Sequence, residues 1–171
     1  MRDLRISHFY EMEVYEILEG RRPMKVVIQR AARASVTVEG QIAGQIGRGL
    51  VILLGVAQED TEEDLQKILK KTISLRIFDD DQGKTNLSLE EVDGEVLVVS
   101  QFTLLADCKK GRRPSFFKAG DPQKAEQMYE TFIRECRKKV RKVQHGVFGA
   151  VMQVDLCNDG PFTILLASKD L

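Results

Sequence analysis

The sequence predicts a single α+β (mixed α/β) domain that begins near Met24. Three observations lead to this prediction: short β-branched or apolar segments, two segments with apolar residues at helical spacing, and a length of 171 residues, which suits one domain. Hydrophobic residues make up 43% and charged residues 30% of the chain, as in folded globular proteins. No apolar run reaches the roughly 20 residues of a membrane-spanning helix, so we expect no membrane partner.

Short strands open the predicted domain. Residues 26–28 and 35–38 are rich in β-branched side chains, and the Glu-Gly pair at 39–40 is a typical hairpin turn before a strand at 41–46. Residues 50–56 are continuously apolar, which predicts a strand that is buried on both faces.

The first helix is predicted from Thr61, a side-chain cap that is followed by three acidic residues, to about Leu75. The acidic segment 79–83 lacks the spacing and the terminal Glu of a calcium loop, so we interpret it as a solvated turn. The buried stripe of the helix is formed by Leu65, Ile68, Leu69 and Ile73.

A central strand is predicted at residues 96–104, and the segment from there to Gly120 shows no periodicity. Asp121 then caps a second helix that has Pro122 at its first position. Its expected buried stripe consists of Ala125, Met128, Tyr129, Phe132, Ile133 and Cys136.

Two further strands are expected at the end of the chain, at residues 151–156 and 162–166. The Asn-Asp-Gly-Pro sequence at 158–161 is a strong turn signal, so it should join them.

The charged residues show no overall bias, because 26 basic and 26 acidic residues cancel. Any contact with nucleic acid must therefore come from local clusters. One cluster is expected at the end of the second helix. We interpret it as a solvated face whose cations are favoured near the helix C-terminus. The other, in a predicted loop, consists of Lys109, Lys110, Arg112 and Arg113.

The residue types that usually perform hydrolysis are scarce. His8 and His145 each stand alone, and Cys108, Cys136 and Cys157 show neither the CxxC pairs of a zinc site nor the density of a disulfide scaffold. We therefore predict no metal site, no cofactor and a reducing cytoplasmic location.

Two polar motifs remain, SQFTL at residues 100–104 and NDGPFT at residues 158–163. They resemble the signature motifs of the D-aminoacyl-tRNA deacylases, and four blocks resemble the family in the same order. Residues 24–171 are thus interpreted as a deacylase domain, and residues 1–23 as an N-terminal extension of unknown role. The blocks are MKVVIQRAARASVTV, LRIFDDDQGKTNLSL, LVVSQFTLLADCKKGRRPSF and FGAVMQVDLCNDGPFT.

This resemblance implies β-sheets that form a barrel-like core with two main helices, in a homodimer with active sites at the subunit interface. It implies a hydrolase that removes D-amino acids from aminoacyl-tRNA, and it also admits Gly-tRNA as a substrate. In the family the Gly-Pro dipeptide, here Gly160-Pro161, is cis and reaches into the partner's pocket, where main-chain carbonyls exclude an L side chain.

The resemblance also assigns roles to other residues. Arg30 should hold the Gly-Pro loop by donating to carbonyls. Phe148, Gly149 and Met152 match positions that line the adenosine pocket. Phosphate contacts are expected from the loop cluster of Lys109, Lys110, Arg112 and Arg113.

Two mechanisms fit the SQFTL segment, which includes Ser100 and Gln101. In one, Thr103 attacks the ester carbonyl, although the sequence offers no base to activate its hydroxyl. In the favoured one, main-chain N–H groups of Phe102 and Thr103 hold the oxyanion and the tRNA 2′-hydroxyl helps to activate water.

Two rival functions remain open. One is a non-catalytic RNA-binding module that uses the basic loop. The other is a small-molecule esterase or amidase acting through Cys108 or Ser100, for which no base partner is evident.

Overall fold

A computed structural model describes residues 23–171 of the chain. Within this range lie eight β-strands and two α-helices, and short 3-10 turns follow at Phe102–Leu105 and Ser168–Asp170. In chain order the elements are β1 (Lys25–Val38), β2 (Gln41–Ile46), β3 (Gly49–Gly55), α1 (Glu62–Ser74), β4 (Phe78–Asp79), β5 (Thr85–Leu87), β6 (Glu95–Ser100), α2 (Pro122–Arg137), β7 (Val143–His145) and β8 (Met152–Ala167).

The main sheet has the strand order β2-β1-β3-β6-β7, and β8 pairs with β1 as well. Strand β1 pairs antiparallel with β2, β3 and β8, whereas β3-β6 and β6-β7 are parallel pairs. The end strands β2 and β7 meet closely, since a Cβ atom added to Gly44 would lie 2.9 Å from the carbonyl oxygen of His145. The sheet is therefore a nearly closed barrel, and the predicted α+β class is confirmed.

Two hydrophobic clusters cover the two faces of the sheet. The larger cluster packs α1 and α2 against one face and includes Leu50 and Ile52, while the smaller one covers the other face and includes Val51. Because β3 contributes to both clusters, its continuous apolar sequence is explained, and the prediction of a strand buried on both faces is confirmed.

Both helices begin at the predicted caps. Thr61 and Asp64 form a capping box, and the Asp121 carboxylate accepts hydrogen bonds from the N–H groups of Gln123 and Lys124. Burial raises the pKa of the Cys136 thiol to about 12, so this residue belongs to the core, as its position on the helical stripe predicts. Neither helix is long and apolar enough to cross a membrane.

The predicted strand 96–104 is wrong at its end, because β6 stops at Ser100 and the chain turns at Phe102–Leu105. The Gln101 N–H donates to the Leu54 carbonyl at 2.8 Å. A Cβ atom at Gly55 would lie 3.0 Å from the Gln101 carbonyl oxygen, so the chain bends closely over the end of β3. Leu105 is then buried, which stabilises the bend.

The predicted pair of strands at 151–156 and 162–166 is also wrong. Both segments belong to β8, which pairs with β1 in one direction throughout, from Lys25 opposite Ala167 to Val38 opposite Met152. The segment 158–163 leaves the strand and returns to it without reversing the chain, and we call it the excursion.

Two smaller differences concern β1 and β7. Residues 26–28 and 35–38 belong to one long strand, because β8 pairs with the residues between them. His145, which belongs to none of the predicted strands or helices, lies in β7. His8 and the rest of the proposed extension up to residue 22 fall outside the described residues.

Candidate active site

A cavity of about 790 Å³ lies where three segments meet. They are the end of β6 with the following turn, residues 116–122 before α2, and residues 148–154 at the start of β8. Ser100, Gln101, Phe102, Phe148, Gly149 and Met152 all line this cavity. The fold thus brings together most of the predicted catalytic segment and all three residues that the sequence assigns to the adenosine pocket.

The turn after β6 begins at the cavity, which Phe102 lines. Its first hydrogen bond runs from the Leu104 N–H to the Gln101 carbonyl, so the N–H groups of Phe102 and Thr103 precede it. Thr103 is exposed and is not among the residues that line the cavity. Its hydroxyl oxygen accepts a short hydrogen bond from the Gln101 side-chain amide.

A buried tyrosine packs against Phe148, which lines the cavity. The Tyr129 hydroxyl lies 2.9 Å from the Val98 carbonyl and 3.2 Å from the Gly146 carbonyl, and its ring packs 5.9 Å from that of Phe148. Burial raises the pKa of Tyr129 well above its ordinary value, so the hydroxyl stays protonated and acts as a structural donor.

The excursion is closed at its base by side chains of its own motif. The Asn158 amide donates to the Thr163 hydroxyl at 2.9 Å, and its carbonyl oxygen accepts the Phe162 N–H at 2.8 Å. The Gln29 amide on β1 also donates to Thr163, at 3.1 Å. The Asn and Thr of NDGPFT are therefore the residues that hold the loop shut.

The Gly160–Pro161 peptide bond at the tip of the excursion is cis. Gly160 has φ 132°, and a Cβ atom there would lie 3.0 Å from the Phe162 nitrogen and 3.3 Å from Arg30 Nη2. Only glycine fits this position. Both residues are exposed and neither lines the cavity of its own chain.

Arg30 anchors the excursion from below, and only 5% of its surface is exposed. Its Nε donates to the Asp159 carbonyl at 3.0 Å and its Nη1 donates to the Ile77 carbonyl at 2.6 Å. The guanidinium also lies 4.5 Å from the centre of the Phe162 ring. Carboxylates of Asp79 and Asp159 lie 3.6 and 3.3 Å away, so the buried cation is neutralised.

The basic loop, residues 108–114, projects from a bridge between Asp107 and Ser115. Its four predicted phosphate contacts are exposed: Lys109, Lys110, Arg112 and Arg113. In the basic cluster at the end of α2, three cations are paired with acids: Lys138 with Glu135, Arg141 with Asp93 and Lys142 with Glu95.

The sequence did not identify the wall of the cavity that residues 116–122 form. These residues lie in the aperiodic segment before α2, and the one available signal was an adjacent pair of phenylalanines, Phe116 and Phe117, in a segment otherwise rich in charge. Cys108 and Cys157 are exposed free thiols. Among residues 23–171, no group of three His, Cys, Asp or Glu residues is arranged to hold a metal ion.

Comparison with known proteins gives a consistent result. A family model described as D-Tyr-tRNA(Tyr) deacylase matches residues 27–167. A protein named D-aminoacyl-tRNA deacylase from Dehalococcoides mccartyi (strain CBDB1) is 56% identical over 147 residues, which are 86% of this chain and 96% of that protein. Another of that name, from Clostridium acetobutylicum, is 51% identical over 146 residues, covering 85% and 98% of the two chains.

Two solved structures share the fold. One, named c-Myc DNA Unwinding Element Binding Protein, has a TM-score of 0.79 and 44% identity, and the match covers 83% of this chain and 97% of that one. The other is described as a probable eukaryotic D-amino acid tRNA deacylase, with a TM-score of 0.70, 19% identity and coverage of 84% and 98%. At that identity the second likeness concerns the fold alone.

Proposed function

Since this chain belongs to the D-Tyr-tRNA(Tyr) deacylase family, we propose that it hydrolyses the ester bond of D-aminoacyl-tRNA and releases D-amino acid and tRNA. The observation that supports this most is the family match across residues 27–167, which contains both the cavity and the excursion. We assign the activity to residues 24–171 and place it in the cytoplasm, where aminoacyl-tRNA is used.

The decisive experiment compares D-Tyr-tRNA and L-Tyr-tRNA as substrates of the purified protein. Selective loss of the D-ester supports the proposal. Equal loss of both esters would indicate a general esterase, and stability of both would remove the enzymatic function. Gly-tRNA belongs in the same series, because glycine has no side chain for the Gly160-Pro161 carbonyls to exclude.

The active site is completed by a second copy of the chain in this proposal. Gly160 and Pro161 are exposed outside their own cavity, so they are available to the cavity of a partner. Exposed apolar side chains on and beside β8 suit such an interface, since 62% of Leu165 and 91% of Val151 are accessible in the single chain. The partner's carbonyls then reject an L side chain by steric exclusion.

Mixing two defective variants tests this arrangement. One variant carries a disrupted excursion (Gly160→Ala) and should hydrolyse both the D-ester and the L-ester, and the other carries a blocked cavity (Gly149→Trp) and should be inactive. If the excursion acts across the dimer, an excess of the second variant places an intact excursion at the cavities of the first, so hydrolysis of the L-ester falls while that of the D-ester continues. If each chain serves its own cavity, hydrolysis of the L-ester stays as it was.

Catalysis is proposed to rest on main-chain donors. The N–H groups of Phe102 and Thr103 precede the first hydrogen bond of their turn and can bind the oxyanion of the tetrahedral intermediate. Such donors typically contribute about 3–4 kcal/mol each in acyl transfer. The 2′-hydroxyl of the terminal ribose helps to activate water, so a tRNA ending in 2′-deoxyadenosine should be hydrolysed far more slowly.

The basic loop supplies the contacts to tRNA phosphates. Binding should weaken by roughly one power of salt concentration for each phosphate that is neutralised. Replacing Lys109, Lys110, Arg112 and Arg113 by Gln should flatten this dependence, and an unchanged slope would contradict the assignment.

A second function, nucleic-acid binding without hydrolysis, is favoured by the likeness to the c-Myc DNA Unwinding Element Binding Protein, which is 44% identical to this chain. That function predicts that the protein retains aminoacyl-tRNA while both esters stay intact. The two-substrate assay therefore separates it from the deacylase.

A further inference from the structure

An exposed aromatic side chain lines the same cavity as the proposed adenosine residues. Phe117 is 75% exposed and lines the cavity together with Phe102 and Phe116. Its neighbour Phe116 is half-buried and packs edge-on against Phe102, with ring centres 4.9 Å apart. Packing therefore accounts for Phe116, whereas Phe117 leaves its ring in solvent at the mouth of a ligand cavity.

The backbone that carries Phe117 is held on both sides. Before it, Ser115 and Asp107 exchange two backbone hydrogen bonds at 2.8 and 2.9 Å. After it, the Lys118 carbonyl accepts the Gln58 N–H at 3.3 Å, and the Gly120 N–H donates to the Val56 carbonyl at 2.8 Å. The ring thus projects from a fixed support, which lowers the entropic cost of contacting a ligand.

The cavity is lined by more residues than those proposed for the adenosine pocket. Phe148, Gly149, Phe116 and Phe117 all line a single volume of about 790 Å³. That volume lies in the upper part of the range of roughly 300–1,000 Å³ for ligand sites. The segment that carries Phe117 also continues directly from the basic loop, in which Arg112 and Arg113 are exposed.

We propose that Phe117 is a stacking platform for the base of the nucleotide that precedes the terminal adenosine of the tRNA. This inference rests on the proposed function, since it takes the substrate to be an aminoacyl ester of single-stranded RNA. Aromatic rings beside basic groups bind unpaired bases by stacking, largely without regard to base identity. Phe117 therefore contributes affinity for the RNA end and no selection of the amino acid.

The test compares two substrates that differ only in length, the D-tyrosyl ester of adenosine and the D-tyrosyl ester of the trinucleotide CCA. Phe117→Ala should raise the KM of the CCA ester about tenfold. The KM of the adenosine ester and the kcat of both should stay unchanged. Equal effects on both esters, or an effect on neither, would overturn the proposal.

Further variants separate stacking from apolar contact and from folding. Phe117→Leu keeps the bulk but lacks a π face, so it should behave like Phe117→Ala, while Phe117→Trp should keep the wild-type KM. A leucine variant with wild-type KM would overturn the proposal. Ile42→Ala is the matched control, because Ile42 is 63% exposed and does not line the cavity.

A binding measurement keeps this inference distinct from the deacylase function. Affinity for a non-hydrolysable D-tyrosyl amide of CCA can be measured whether or not the protein is an enzyme. If the wild-type protein hydrolyses no ester, the proposed function fails. Loss of affinity in Phe117→Ala but not in Ile42→Ala would still support the platform, and equal affinities in all three proteins would refute it.

Discussion

The excursion of β8 and the turn after β6 both interrupt the regular strands, and different groups hold them in place. In the excursion, the stabilising bonds come from side chains: Arg30, Asn158 and Gln29 all donate to it. In the turn, three come from the backbone, through the N–H groups of Gln101, Leu104 and Ala106, beside one side-chain bond from the Gln101 amide to the Thr103 hydroxyl.

This difference predicts how each region responds to substitution. Replacing one side chain can release the excursion, whereas the donors of the turn are main-chain N–H groups, which only a substitution by proline removes. We therefore expect chiral selectivity to be sensitive to mutation and the catalytic step to tolerate loss of the Thr103 hydroxyl.

The largest effect is expected for Arg30→Met. It leaves the buried carbonyl of Ile77 and the partly buried carbonyl of Asp159 without their donor, which should lower the free energy of unfolding by about 2–3 kcal/mol. Asp79 and Asp159 add little, because their side chains are about half exposed. Urea unfolding and the D-to-L ratio of kcat/KM measure the outcome, and we expect that ratio to fall.

Arg30→Lys is the control for this variant. It keeps the positive charge but lacks the planar fork that reaches two carbonyls, so it should restore less than half of the lost stability. Full rescue by lysine would show that charge alone holds the excursion.

The sequence predicted the first strands of the barrel and both helices because their signals are local. Thr61 and Asp121 are caps that act within a few residues, and the apolar run of β3 reflects burial on both faces. The excursion was misinterpreted for the opposite reason. Asn-Asp-Gly-Pro has the composition of a reversing turn, and only continued pairing with β1, more than 120 residues earlier in the chain, keeps the strand going.

The site was predictable to the extent that motifs carry it. By resemblance, the two motifs indicated the SQFTL segment and the Gly-Pro tip, and the block that begins at Met24 indicated Arg30. No periodicity marks residues 116–122 as a wall of the cavity. Their position depends on bridges such as that between Ala57 and Ala119, which join segments that are distant in sequence.

A smaller effect is expected for Asn158→Ala, which opens the base of the excursion but leaves Arg30 in place. Loss of the bonds to Thr163 and Phe162 should cost about 1 kcal/mol of stability and reduce the D-to-L ratio several-fold. Asn158→Asp keeps the acceptor for the Phe162 N–H, so it should lose less. If the D-to-L ratio is unchanged in both variants, selectivity does not depend on closure of the loop by Asn158.

Thr103→Ala tests the other region. If main-chain N–H groups hold the oxyanion, kcat for the D-ester should fall less than tenfold, because the substitution leaves the N–H groups in place. Thr103→Val, which keeps the branched shape, should lose no more than Thr103→Ala. Single-turnover rates measure this effect. A thousandfold loss of kcat with unchanged tRNA binding would support the mechanism in which Thr103 is the nucleophile.

The smallest effect is expected for Glu95→Gln. The Glu95 side chain joins separate segments of the chain and does not line the cavity. Glu95 accepts hydrogen bonds from the Gly47 N–H at 2.7 Å and from Lys142 at 2.9 Å. Burial raises the pKa of Glu95, but these bonds outweigh it and hold the pKa below its ordinary 4.5.

A carboxyl group whose pKa is lowered by folding stabilises the protein above its unfolded pKa, and this contribution is lost as the pH falls through the folded pKa. Glu95→Gln should therefore cost less than about 1 kcal/mol at pH 7, and this cost should shrink as the pH falls below 4.5. Urea unfolding at pH 7 and at pH 3 measures this difference. The D-to-L ratio should stay at its wild-type value, because Glu95 does not contact the excursion. A reduced ratio would mean that selectivity depends on overall stability and not on the contacts that hold the excursion.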